Sequence, residues 1–129
     1  MVESHVNDSK ALILLVDDCV DTREMYGEFL SPSFDIIHAG TAQEALKKAS
    51  ELRPAAIVMD WMLPDMTGEE AIVNLRRNTR TDRIPIIVVS GFAEPPQKSP
   101  MWDAYLVKPC HPDTLSACLG RMIENTAAE

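Results

Sequence analysis

Five short apolar runs punctuate this chain. ALILLV (11–16), FDIIHA (34–39), AAIVM (55–59), PIIVV (85–89) and AYLV (104–107) are too short to be helices, and runs apolar on successive positions suit strands buried on both faces. The stretches between them carry a helical period. Met25, Tyr26 and Phe29 follow a capping-box-like pair, Asp21 and Glu24, and Pro32 ends that helix. Thr41 and Glu44 open a second helix, in which Ala42, Ala45, Leu46 and Ala49 keep the i, i+3, i+4, i+7 spacing until Pro54 closes it. Thr67 and Glu70 open a third, through about Asn78, with Ile72 and Leu75 inward. Pro112 suits the first position of a last helix that lines up Leu115, Cys118, Leu119 and Met122. One interval breaks the rhythm. Between residues 91 and 103, Pro95, Pro96 and Pro100 remove backbone donors and disfavour helix before them, so a fourth helix there is expected to be short or irregular and the segment mobile.

Strand and helix thus alternate five times with mostly short connections. Parallel strands need crossovers, so the expected architecture is α/β: a doubly wound, five-stranded parallel sheet with helices on both faces. The chain's 129 residues make one domain, which buries roughly two-thirds of its unfolded surface without help from disulfides. Residues 1–10 read as a polar N-terminal extension and 11–126 as the domain, with no effector domain expected after it.

Charge narrows the function. Lys and Arg total 12 against 20 Asp and Glu, a net of −8, which argues against binding nucleic acid through phosphate neutralisation. The one basic cluster, Arg76, Arg77, Arg80 and Arg83, reads as a solvated helix end. Cys19, Cys110 and Cys118 form neither a disulfide set nor a metal pair and read as reduced thiols. His5, His38 and His111 show no ligand spacing, and Trp61 and Trp102 read as packing residues. The polar start lacks the apolar core of a signal peptide, and no run is long enough to span a membrane, so a cytoplasmic location is expected.

Four runs end at chemically active residues: Asp17 and Asp18 after the first, Asp60 after the third, Ser90 after the fourth, Lys108 after the fifth. In a doubly wound sheet these strand ends share one edge, and ligands bind where the winding reverses. Each residue alone is unremarkable at a strand end; five at one edge are not. Three carboxylates ~5 Å apart repel by roughly 3 kcal/mol per pair at an effective dielectric near 20, about 10 in all, against a domain stability of about 5–15. Something cationic must sit among them. Lys108 is one answer and a divalent ion another; all-oxygen ligands at a partly open site suit Mg2+. A carboxylate beside such cations is a competent nucleophile toward a phosphoryl group, giving an aspartyl phosphate.

These residues resemble a known family. LLVDD (14–18), DWMLPDMTG (60–68), VVSG (88–91) and AYLVKP (104–109) are similar to the receiver domain of bacterial two-component response regulators, and the likeness covers about residues 10 to 125. It implies a flavodoxin-like sheet of order 2-1-3-4-5, with Asp60 as phosphoacceptor. It further implies Asp18 and Asp60 as direct Mg2+ ligands, Asp17 acting through water, and the Met62 backbone carbonyl completing the protein's set. Lys108 would pair with Asp60 and then with its phosphoryl group, the Ser90 hydroxyl would move in to bond a phosphoryl oxygen, and Tyr105 matches the aromatic switch position. Lys108–Pro109 matches a cis peptide, and Met62 a position that influences loss of the phosphoryl group to water. The implied donor is a phosphohistidine on a sensor histidine kinase or a histidine phosphotransfer protein, so the chain would be a signalling phosphoacceptor rather than an enzyme.

Three other readings compete. A pseudo-receiver would act as a phosphorylation-independent interaction module, although all five site residues are retained. A metal-dependent phosphatase would want a second carboxylate near the nucleophile, but Trp61 and Met62 follow Asp60. A flavin carrier would want a first loop rich in Ser, Thr and Gly, and this one is acidic. Gly91 is either an ordinary strand-end residue or a missing side chain that keeps the site open.

Overall fold

The computed structural model describes residues 10–92 and 101–128. Among them the order is β1 (Leu12–Val16), α1 (Val20–Leu30), β2 (Asp35–Ala39), α2 (Ala42–Leu52), β3 (Ala56–Asp60), α3 (Gly68–Arg77), β4 (Ile86–Ser90), β5 (Ala104–Val107) and α4 (Pro112–Ala128). The strands pair in parallel in the order β2-β1-β3-β4-β5. Residues 91–92 and 101–103 are not helical; the rest of the proline-containing interval, where the irregular fourth helix was expected, lies outside the described residues.

Alternation along each strand divides the core in two. Leu14, Val16, Ile57, Met59, Ile86 and Val88 face α2 and α3, meeting Ala42, Ala45, Ala49, Ile72 and Leu75. Ile13, Leu15, Val58, Ile87 and Val89 face α1 and α4, meeting Tyr26, Leu30, Leu115, Cys118 and Leu119. A sheet covered on both faces explains why the strands read as apolar on nearly every position. The winding reverses at β1, which pairs with β2 on one side and β3 on the other. That places the crevice of a doubly wound sheet at the ends of β1 and β3.

The helix starts show where local signals held. Thr67 and Glu70 form the full capping box at α3. Thr41 accepts from the Glu44 amide at 3.1 Å, but Glu44 reaches one residue further, to the Gly40 N–H at 2.9 Å. The Asp21–Glu24 pair does not cap α1. That helix begins at Val20 with Cys19 as its N-cap, so Asp21 already lies inside the first turn; the amide of Cys19 donates instead to Asp17 Oδ1 at 2.9 Å.

The arginine cluster is also not uniformly solvated. Arg76 turns inward: its guanidinium donates to the carbonyls of Met101 (2.9 Å), Asp82 (3.2 Å) and Ile84 (2.8 Å) and pairs with Asp103 at 3.2 Å. Asp103 in turn accepts the Ile86 N–H at 2.8 Å, so one side chain ties the end of α3 to the starts of β4 and β5. Arg76→Ala is expected to cost about 2–3 kcal/mol, because it unpairs several carbonyls at once, and Arg76→Lys should recover only part, lacking the planar fork. Urea midpoints measure this, and an unchanged midpoint for the alanine variant would mean water replaces the guanidinium freely.

His38 on β2 carries a pH signature. Burial, and then the charges of Arg23 and Lys48, hold its imidazole below the ordinary histidine range, with Glu24 opposing. The folded state therefore resists a proton that the unfolded chain accepts near pH ~6.5. Stability that is full above that value is lost as pH falls through the lowered folded value. His38→Gln is expected to flatten this limb; denaturation midpoints at pH ~7 and ~5.5 that fall equally in both proteins would refute it.

Candidate functional site

The sheet brings the strand ends together as expected. Asp17 and Asp18 follow β1, Asp60 and Ser90 are the last residues of β3 and β4, and Lys108 follows β5. Parallel register levels them: Val16 lies opposite Met59, Asp60 opposite Val89, and Ser90 opposite Val107. Backbone bonds extend the ladder past the strands, from the Asp17 N–H to Ala39 O (3.1 Å) and from the Lys108 N–H to Ser90 O (2.7 Å). Lys108–Pro109 is cis.

Carboxylate oxygens of Asp17, Asp18 and Asp60 lie within 4.8 Å of one another. Asp17 and Asp60 are buried and Asp18 is exposed. Lys108 reaches both buried members, at 3.3 Å from Asp60 Oδ2 and 3.5 Å from Asp17 Oδ2. The family likeness implies only the pairing with Asp60, whereas the charge argument already sets Lys108 among the carboxylates, where it is found.

The electrostatics do not balance within this set. Burial pulls the Lys108 ammonium down, but Asp60 and Asp17 together hold it above the ordinary lysine range. Asp60 is nevertheless pushed above the ordinary carboxylate range, by burial first and by Asp17 in addition, against the pull of Lys108 and a long 3.4 Å bond from the Met62 N–H. Both values rise, which favours the charged form of Lys108 but disfavours that of Asp60, because one lysine is divided between two carboxylates while Asp60 bears the desolvation. The site is short of positive charge. Its all-oxygen donor set, one member open to water, fits a hard divalent cation of the Mg2+ type.

Ser90 is almost fully buried, and its hydroxyl accepts the Phe92 N–H at 3.1 Å. The hydroxyl of Tyr105 donates to the carbonyl of the same residue at 3.0 Å. Ser90 and Tyr105 thus hold opposite polar groups of Phe92, whose side chain is exposed. Trp61 is buried and meets the half-buried Trp102 edge to face at 5.5 Å, as packing residues would. The Met62 side chain is exposed at the rim. A Cβ on Gly91 would meet nothing within 4 Å and its φ is not positive, so neither crowding nor backbone conformation demands glycine there.

One site-supporting residue gave no local signal. Asp65, in the loop after β3, accepts the N–H groups of Ala42 (2.8 Å) and Gln43 (2.9 Å) at the start of α2, and these bonds hold its carboxyl below the usual range. It pins the far end of the loop that begins at Asp60. Its partners lie more than twenty positions upstream, and only the crossover brings them near.

A doubly wound sheet with an acidic triad and a lysine at its switch point defines a receiver-type site. The family model of the response regulator receiver domain matches residues 13–119, and the chain belongs to that family. Among curated proteins it is 33% identical over 119 residues to the phosphate regulon transcriptional regulatory protein PhoB of Pseudomonas aeruginosa, covering 88% of this chain and 52% of that one. It is 39% identical over 85 residues to a protein-glutamate methylesterase/protein-glutamine glutaminase of Bacillus licheniformis, covering 64% of this chain and 23% of that one. The chain therefore spans about half or less of these relatives. Among solved structures, a sensor protein of Polaromonas sp. JS666 superposes with a TM-score of 0.85 at 31% identity over 91% of this chain and 98% of that one. The receiver domain of the Pseudomonas aeruginosa sensor histidine kinase PA1611, solved with a magnesium ion coordinated in its active-site cleft, gives 0.82 at 26% identity over 90% and 99%. No helix among the described residues is long and apolar enough to cross a membrane.

Proposed function

We propose that this chain is a cytoplasmic phosphoacceptor of a two-component or phosphorelay pathway, carried by residues 11–126 and phosphorylated on Asp60. The observation that carries the reading is the cluster of three carboxylates within 4.8 Å, two of them sharing Lys108. Asp60 is one of the two buried members and the one at the end of the central strand β3, flanked on the sheet by Ser90 of β4.

A phosphohistidine on a sensor histidine kinase or histidine phosphotransfer protein would be the donor. A carboxylate oxygen of Asp60 forms the new P–O bond as the donor's P–N bond breaks, and the imidazole leaves with a proton. Asp18 and Asp60 would hold Mg2+ directly, Asp17 through water, and the Met62 carbonyl would complete the set. The ion, when bound, supplies positive charge that offsets the carboxylates and the phosphoryl oxygens. Lys108 already lies 3.3 Å from Asp60 and can follow the charge onto the phosphoryl group.

Phosphorylation adds close to two negative charges and three acceptor oxygens. Ser90 now uses its oxygen as an acceptor for Phe92, and its hydroxyl proton is the donor a phosphoryl oxygen needs. Moving Ser90 toward Asp60 pulls on Phe92, and through it on Tyr105 at the sheet's edge, which biases the protein-contact surface there.

The test is incubation with acetyl phosphate and Mg2+ followed by intact-mass measurement. The wild type should gain one phosphoryl group, and Asp60→Asn none. An unmodified wild type, under conditions that label a control receiver, would favour the pseudo-receiver.

A further inference from the structure

The arginine cluster divides in the fold. Arg76 is used inside, whereas Arg80 and Arg83 stay exposed and meet a third arginine, Arg53, which follows α2. The three line a groove of about 380 Å³ where β3 and β4 begin, at the opposite edge of the sheet from Asp60. We propose that this groove binds a compact oligophosphate anion, either free or as the tail of a nucleotide.

Charge is the first argument. Three arginines and Asp82 in one groove sum to +3 − 1 = +2, in a chain whose total is −8. The guanidiniums of Arg53 and Arg83 have no hydrogen-bond or ion-pair partner among the described residues. Arg80 uses only its Nε, donating to Ser50 O at 2.8 Å, which fixes the plane of the fork and leaves its terminal nitrogens for a ligand. Planar forks of this kind match phosphate oxygens two at a time.

The backbone supplies the second argument. Arg53 sits at φ 50°, in the left-handed region, at a helix end where glycine is the usual residue. A side chain there is strained relative to glycine, yet the chain places a cation at that point. Pro54 and Pro85 restrict the backbone at the two strand entries on either side, and the Ser50 carbonyl fixes the Arg80 fork between them. The third argument is size. The volume lies near the small end of ligand sites, about 300–1,000 Å³, which suits a compact anion, and the net +2 of the lining outweighs the repulsion from Asp82.

Calorimetric titration with sodium tripolyphosphate, and in a second arm with ATP, tests this at an ionic strength of about 0.15 M, where diffuse surface attraction is screened. Metal-free buffer removes any route through the carboxylate cluster. Saturable binding is expected, weakened about tenfold in each of Arg53→Gly and Arg83→Gln and unchanged in Asp60→Asn. Arg53→Gly suits the local backbone, so misfolding does not confound its loss. Tighter binding of ATP assigns the site to a nucleotide; equal or weaker binding assigns it to a free oligophosphate. No saturable heat, or an undiminished affinity in the Arg53→Gly/Arg83→Gln double variant, overturns the proposal whatever the fate of Asp60.

Discussion

Lys108→Ala should lower the melting temperature in metal-free buffer by roughly 6–12 °C, and added Mg2+ should restore much of the loss. Lys108 is the only cation within ion-pair distance of Asp17 and Asp60 among the described residues. Removing one partner of a buried pair costs about 3–5 kcal/mol, and here two carboxylates are left facing each other. Lys108 is itself 36% exposed, so solvent has already weakened the interaction, and about 2–3 kcal/mol is the better expectation. The sign of a second substitution makes the argument specific. Asp60→Asn removes a carboxylate that burial and Asp17 already disfavour, so adding it to Lys108→Ala should raise stability, although each change alone disturbs the same ion pair. A double variant that melts no higher than Lys108→Ala would show that Lys108 acts by packing its stem and not by its charge. Scanning calorimetry with and without Mg2+ reads all of these outcomes.

Gly68→Ala should be nearly as damaging, for a steric reason. A Cβ on Gly68 would lie 2.9 Å from both the Cα and the carbonyl oxygen of Trp61, which are backbone atoms and cannot swing aside. The Gly68 N–H also donates to that carbonyl at 2.6 Å, so separating the two strains a bond that starts α3. Overpacking of this kind costs about 1–3 kcal/mol, a fall of roughly 3–12 °C for a domain of this size. Because Trp61 follows Asp60 directly, the acetyl phosphate reaction should slow as well. Gly91→Ala is the matching control: it meets open space and should leave the melting temperature unchanged. Equal melting temperatures for Gly68→Ala and the wild type would mean that the loop relaxes at no cost.

The inner strands β1, β3 and β4 were legible because both faces of the sheet are covered there, which makes them apolar on successive positions, whereas β2 carries Asp35 and His38 and is only partly buried. The site was legible for a related reason. Parallel strands carry their last residues to one edge, so Asp17, Asp18, Asp60, Ser90 and Lys108 could be grouped without coordinates. Interactions chosen by tertiary distance were not legible. Asp21 has the right spacing to Glu24, but α1 starts early enough to put it inside the first turn. Arg76 looks like its exposed neighbours until the starts of β4 and β5 offer it carbonyls. Asp65 caps a helix that precedes it by a whole crossover. No pattern of residue types marks Arg53 as left-handed, since glycine is the residue that announces that conformation.

The parallel sheet also sets two groups of opposite charge at its two edges. Asp17, Asp18, Asp60 and Lys108 leave −2 at the edge where strands end, and Arg53, Arg80, Arg83 and Asp82 leave +2 where β3 and β4 begin. A five-residue strand separates these groups by ~16 Å, more than a Debye length at about 0.15 M salt. The two groups are therefore felt separately, and in the metal-free protein a basic surface is drawn toward the strand ends, an attraction that a divalent cation in the carboxylate cluster would cancel. Orientation is then settled during approach, and association should slow as salt rises even where the final contact is apolar.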